Sequence, residues 1–194
     1  MTTPASRNRI GVLAGAFNPV TRALLALVDA ALQVVDEVVC VAPRVYPHKE
    51  LQGADLETRV DMLRRAGNRH RVVVCEQGLF DDIARELRPQ HPDAELYFIC
   101  GRDAAERVIH WDYGDPRAIE RILENFRLLV ASRQGELDAP PHLRHRVKPL
   151  RLAGDFDDVS STEVRRRIAA GLAWEHLVPE PIIEIVRRVY PRET

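Results

Sequence analysis

Lysine is almost missing from this 194-residue chain: of its 28 basic residues only Lys49 and Lys148 are lysine, and arginine fills the rest. Such a bias reflects codon usage, so a single arginine carries no functional weight by itself. Net charge is nearly missing too. The 28 basic and 29 acidic residues leave −1, which argues against a nucleic-acid-coating protein while leaving room for a local basic patch. Cysteine is scarce. Cys40, Cys75 and Cys100 are widely spaced, each in an apolar run, and read as buried thiols of a reducing compartment. With no CxxC and no Cys/His cluster, no metal site is expected. No apolar run approaches the ~18–20 residues of a membrane span, and the amino-terminal MTTPASRNR lacks the apolar centre of a signal peptide. Repeats, low-complexity stretches and linkers are absent as well. What remains is 45% apolar and 29% charged: a cytoplasmic globular protein, with a flexible tail over 1–8 and one domain over 9–194.

The apolar residues alternate between two periods. Short β-branched runs at 9–14, 37–43, 71–75, 95–100, 126–132 and 147–153 predict six strands. Pro149 in the last suggests an edge position or a late start. Between and after them, helical spacing covers 21–35, 55–66, 80–88, 102–110, 116–124, 161–170 and 179–189. The first of these carries apolar residues at 24, 27, 28, 31, 32 and 35. The polar, proline-bearing stretch 133–146 reads as a mobile surface loop. Strands alternating with helices imply an α/β fold: one Rossmann-like, doubly wound parallel sheet with helices on both faces and a small helical carboxyl-terminal part. In such sheets ligands bind at the carboxyl ends of the strands, near the switch point.

Two segments fall where a ligand is expected. After the first strand runs A14-G15-A16-F17-N18-P19-V20-T21-R22-A23-L24. It is neither a G-x-G-x-x-G loop nor a Walker-type loop. Small residues and a helix start suit a phosphate, yet Asn-Pro also marks an ordinary turn, and this segment alone leaves both open. The second is D158-V159-S160-S161-T162-E163-V164-R165-R166-R167. Ser160 and Glu163 form a capping box. That box explains neither three consecutive hydroxyls nor three arginines near a helix amino terminus, where each positive charge costs roughly 0.3–1 kcal/mol. A bound anion reverses that penalty, with Arg165 the best single candidate.

Together these segments resemble the nicotinate/nicotinamide mononucleotide adenylyltransferase family of the nucleotidylyltransferase superfamily. Residues 15–24 match its G-x-F-[DN]-P-x-[HT]-x-x-H motif through Thr21, and Val159–Arg165 match I-S-S-T-x-x-R with one conservative change. P47-H48-K49, E57-T58-R59-V60-D61-M62-L63, G101-R102-D103 with Trp111, and L177-V178-P179-E180 follow the family's further motifs in order. The resemblance implies adenylyl transfer from ATP, as its magnesium (Mg2+) complex, to a pyridine mononucleotide or related phosphorylated acceptor, with pyrophosphate leaving. It implies small nucleotides, not nucleic acid or membrane, as partners. Thr21, Ser160, Ser161, Thr162 and Arg165 would hold the triphosphate beside the Gly15–Phe17–Asn18 turn, and Lys49 would neutralise charge. Thr21, Lys49 and Arg165 would be the catalytic group. Gly101 and Asp103 would lie along the nucleotide, Arg133 near its adenine end, and Trp111 would stack on the pyridine, with Asp82 also on the acceptor side.

Two departures qualify the resemblance. Leu24 stands where the family has its second signature histidine, which stabilises charge on the transferred group; leucine donates nothing. L79-F80-D81-D82-I83 keeps only Asp82 of a Y-T-x-D-T segment whose threonines recognise the nicotinate carboxylate. An active adenylyltransferase impaired at Leu24 is the leading expectation. The alternative is a weak or silent nucleotide-binding relative acting as sensor or partner subunit.

Overall fold

The six β-branched runs pair into one sheet. The structure, a computed structural model, describes residues 8–46, 53–115, 117–131, 137–156 and 158–191. Strands β1 (Arg9–Ala14), β2 (Glu37–Pro43), β3 (Arg71–Cys75), β4 (Glu95–Gly101), β5 (Arg127–Ala131) and β6 (Val147–Leu150) are all parallel, in the order β3-β2-β1-β4-β5-β6. Val12 of β1 pairs with Val39 on one side and Phe98 on the other. The chain winds outward from β1 to β3, returns to lay β4 beside β1, and winds outward again. The carboxyl ends of β1 and β4 therefore flank the switch point, where a crevice opens between diverging crossovers. Pro149 lies on β6, an edge strand, the place in a sheet that tolerates a missing N–H.

Near-continuous apolar strands bury both faces, as a parallel sheet requires. Leu13, Cys40, Tyr97, Ile99 and Leu129 face one way. They are covered by α1 (Arg22–Ala31), α2 (Leu56–Ala66), α6 (Ser161–Ala169) and α7 (Ile183–Val189). Ile10, Val12, Val39, Phe98 and Leu128 face the other way. They are covered by α3 (Phe80–Leu87), α4 (Arg102–His110) and α5 (Ala118–Asn125). There Phe98 stacks on Phe80 with ring centroids 4.5 Å apart and meets Phe126 at 4.6 Å. The expected doubly wound fold, with helices on both faces and a helical carboxyl-terminal part, is thus the observed one. No helix among the described residues is long and apolar enough to cross a membrane.

The differences from expectation are local. α1 stops at Ala31, not 35, because the chain tightens: Val34 and Val35 N–H both reach the Ala31 carbonyl, and Asp36 N–H reaches Arg9. That contraction brings β2 to the start of β1, where Arg9 and Asp36 pair at 2.9 Å. β6 ends at Leu150, and the last helix begins as a 3-10 turn, Glu180–Ile182. The expectation of a mobile loop over 133–146 is corrected over 137–146. Leu143 and Ala139 are 2% and 6% exposed, Arg144–Arg146 forms a 3-10 turn, and Leu143, with Leu137 packed beside it, ties this stretch to the second face. Within the expected tail, the Asn8 carbonyl accepts the Glu95 N–H; residues 1–7 lie outside the described residues.

Candidate active site

Among the described residues three polar or charged side chains are buried: Asn18, Thr21 and Arg59, at 4%, 6% and 3% exposure. Asn18 and Thr21 belong to the turn between β1 and α1, and Arg59 reaches that turn from α2. Burying a polar group is costly unless it is bonded, so their clustering marks this turn as a constructed site.

The turn is gripped by its carbonyls. The Tyr46 hydroxyl donates to Gly15 at 2.8 Å, and Arg59 Nη1 donates to Ala16 at 3.0 Å. Arg165 Nη1 donates to Asn18 at 2.5 Å, and Ser161 Oγ donates to Pro19 at 2.7 Å. Four side chains from three parts of the chain thus hold four carbonyl oxygens. In a planar trans peptide the N–H points opposite its C=O. The amides of Ala16, Phe17 and Val20 are therefore turned away from these donors, an arrangement suited to an anion. Phe17 adopts φ +52°, a strained left-handed conformation for a bulky residue. Burial of its ring at 5% exposure holds it there. Gly15 proves small for a different reason than ligand approach: a Cβ there would sit 3.3 Å from the Phe17 ring.

The Asn18 side chain is also occupied. Its Oδ1 accepts the Ala54 N–H at 3.2 Å and the hydroxyl of Tyr190. Burial pushes Tyr190 up to about 12, so it remains a donor. Gly53 lies beneath at φ +100°, where a Cβ would come within 2.7 Å of the Tyr190 ring. Asn18 therefore fastens the end of the segment that carries Lys49; Lys49 and His48 lie outside the described residues, as does Arg133.

The second segment meets the first as expected. Ser160 caps α6, its Oγ accepting the Glu163 N–H at 3.1 Å. The reciprocal half of the capping box does not form. Glu163 turns forward to Arg166 and Arg167, each at 2.7 Å, which holds its carboxyl down at about 2. Two of the three arginines are thereby neutralised locally. Arg165 instead spans Asn18 and Thr162 Oγ1, the latter at 3.5 Å. Thr21 is the N-cap residue of α1 and makes no side-chain cap bond.

Gly101 ends β4 beside β1 and precedes α4, with nothing within 4 Å of where its Cβ would stand. Asp103 is exposed in the first turn of α4. Trp111, at the other end of that helix, is 56% exposed. Asp82 lies in the first turn of α3, paired with Arg85 at 2.9 Å. The structure thus joins residues 15–21 to 160–165 at the switch point, with Asp82 on α3 and Trp111 at the end of α4. Tyr46 and Tyr190 lie in no motif, and Arg59 lies in one without an implied role. One signal was available: Arg59 takes the first place of the buried 59, 62, 63, 66 stripe of α2. Among the described residues no group of three or more His, Cys, Asp or Glu side chains is placed to hold a metal ion.

Known proteins share this arrangement of chain. The cytidylyltransferase-like family model matches residues 12–167, which include both segments. A Gloeobacter violaceus protein named "Probable nicotinate-nucleotide adenylyltransferase" is 32% identical, over 93% of this chain and 94% of that one. A Clavibacter michiganensis protein of the same name is 30% identical, over 97% and 96%. Among solved structures, a Plasmodium falciparum nicotinic acid mononucleotide adenylyltransferase complexed with NaAD superposes with a TM-score of 0.67 at 15% identity, covering 93% of this chain and 97% of that one. At that identity the likeness is one of fold.

Proposed function

The chain belongs to the cytidylyltransferase-like family and, within it, to the nicotinate-nucleotide adenylyltransferases, and from that premise we propose that it transfers the adenylyl group of ATP to a pyridine mononucleotide. The observation that carries this reading is the junction of the two segments, Ser161 on Pro19 and Arg165 on Asn18. It sets hydroxyls, a helix amino terminus and a guanidinium around one turn whose amides face the same crevice.

The proposed chemistry is a displacement at phosphorus. A phosphate oxygen of the mononucleotide forms a bond to the α-phosphorus of ATP, the bond to the β-phosphate oxygen breaks, and pyrophosphate leaves. Such a step needs alignment and charge neutralisation more than covalent help from the protein. In our reading the turn amides, Thr21, Ser160, Ser161 and Thr162 hold the phosphates, with Gly15, Phe17 and Asn18 shaping the turn. Arg165 and Lys49 balance their charge, Gly101 and Asp103 border the nucleoside, and Trp111 and Asp82 border the acceptor. Magnesium arrives on the triphosphate. The enzyme works as a cytoplasmic protein on small nucleotides.

Pyrophosphate release tests the reading, with ATP–magnesium and either nicotinate or nicotinamide mononucleotide. Turnover with one of them is expected. Absence of turnover together with absence of nucleotide binding at millimolar concentration would refute it. The replaced threonines beside Asp82 make the choice between the two acceptors the informative comparison.

A further inference from the structure

Arg59 is the one buried charged side chain among the described residues, at 3% exposure. A buried guanidinium ordinarily meets a carboxylate. Here its bonded partners among the described residues are neutral. Nε donates to the Asp55 carbonyl at 3.3 Å, and Nη1 donates to the Ala16 carbonyl at 3.0 Å and the Tyr46 hydroxyl at 3.1 Å. The guanidinium also lies 5.7 Å from the centre of the Tyr46 ring. The Asp55 carboxylate accepts the Thr58 N–H at 2.8 Å as the cap of α2 and acts on Arg59 through space without a hydrogen bond to it. A nearly dry positive charge thus stands directly behind the turn.

Its contacts reach two successive peptides. Arg59 holds Ala16 directly. Through Tyr46, whose hydroxyl accepts from Arg59 and donates to Gly15 at 2.8 Å, it holds the preceding carbonyl as well. Polarising a carbonyl strengthens the N–H of the same peptide as a donor. The peptides so polarised carry the amides of Ala16 and Phe17, which are turned away from Arg59.

We propose that Arg59 is a positioning residue for the polyphosphate group of the substrate: with Tyr46 it orients the Ala16 and Phe17 amides, and its buried charge strengthens their hold on that anion. The inference rests on the adenylyl-transfer reading and adds a residue that touches no substrate atom. A purely structural Arg59 would set the stability of the turn and leave every ligand equally affected. A positioning Arg59 acts on the polyphosphate and spares the mononucleotide.

The test uses the full chain and inorganic pyrophosphate with magnesium as the probe, alongside steady-state kinetics with ATP and the mononucleotide varied in turn. Tyr46→Phe removes one link of the relay and leaves the buried cation in place. It is expected to weaken pyrophosphate binding and raise the KM for ATP about three- to tenfold, the range for one lost hydrogen bond. Arg59→Lys keeps the charge and loses the fork, and Arg59→Met loses both. Expected losses in pyrophosphate affinity are about tenfold for lysine and about a hundredfold for methionine, in line with charge-assisted bonds. The KM for the mononucleotide stays within about twofold, as expected of a ligand the turn does not hold. If the methionine variant does not fold, the lysine and phenylalanine variants decide. Unchanged pyrophosphate affinity in folded variants, or an equal loss for both substrates in step with the melting temperature, would overturn the proposal. A wild-type protein with neither turnover nor pyrophosphate binding would overturn the adenylyl-transfer reading itself.

Discussion

Leu24→His is expected to speed the reaction. Leu24 is the third residue of α1, three positions after the N-cap Thr21, and its N–H donates to the Thr21 carbonyl at 3.1 Å. Residues three apart share a helix face, so this side chain stands on the Thr21 side of the helix, beside the gripped turn. It is half-buried and packs against the core of that face. Replacing it forfeits about half of a leucine's transfer free energy, about 1 kcal/mol, or roughly 2–4 °C in melting temperature for a chain of this size. An imidazole at that point faces a helix amino terminus, which disfavours the protonated form, so it would act as a neutral N–H donor. One well-placed donor to a developing oxyanion is worth about 10²–10³ in rate. Imperfect seating in a site shaped for leucine reduces this, and a gain in kcat of about tenfold to a hundredfold is expected. Pyrophosphate release at saturating ATP and mononucleotide measures it. The gain belongs in kcat, with both KM values nearly constant, because the bond forms in the transition state. An unchanged kcat in a folded variant that still binds ATP would refute the reasoning.

Gly53→Ala forces a Cβ to within 2.7 Å of the Tyr190 ring at φ +100°; a loss of about 2–4 kcal/mol, seen in chemical denaturation, is expected from overpacking and backbone strain. Gly101→Ala meets nothing within 4 Å, so stability should hold while ATP affinity falls if the nucleotide lies against that backbone; an unchanged affinity would remove Gly101 from the site. Glu163 is held at about 2, below its ordinary 4.5, by hydrogen bonds from Arg166 and Arg167. A depressed carboxyl stabilises above its unfolded value and loses that contribution as pH falls through its folded value. Glu163→Gln should therefore lower the melting temperature at pH 7, with the gap to wild type closing between about pH 4.5 and 2. Cys40, Cys75 and Cys100 are buried, and burial pushes each thiol up to about 12. Ellman's reagent should find no fast-reacting thiol in the native protein at pH 8 and three after denaturation.

The fold was legible because its determinants are local. A parallel strand buried on both faces announces itself as an unbroken apolar run, and β1, β2 and β3 have the bounds their runs predict. The two segments that meet at the switch point were legible as motifs. Their mutual grip was not, since the Ser161–Pro19 and Arg165–Asn18 bonds join residues more than 140 positions apart. Tyr190 is further still, and nothing around it in the sequence predicts a hydroxyl partner at Asn18. Leu143 and Leu137 illustrate the opposite failure. Two apolar residues among prolines and charges show no period, yet they suffice to tie their segment to the second face.

The arginine excess acquires meaning only when partners are counted by charge. Arg65, Arg85, Arg102, Arg166 and Arg187 each face a carboxylate on their own helix or close by. Such exposed pairs contribute little to stability and cancel their own fields. Arg59 and Arg165 bond to the backbone carbonyls of one turn, and a carbonyl satisfies a guanidinium's hydrogens without neutralising its charge. Arg88 is bonded similarly, but to Ala94 and Asn125 at the amino ends of β4 and β5, away from the switch point. A net charge of −1 is therefore compatible with a concentrated positive potential at the carboxyl end of β1. The same economy bears on Leu24. A site whose amides are already oriented by four side-chain donors keeps its electrostatic preorganisation when one histidine is absent. The expected phenotype of that absence is a slower enzyme with its nucleotide affinity intact, a combination that separates an impaired catalyst from a collapsed site.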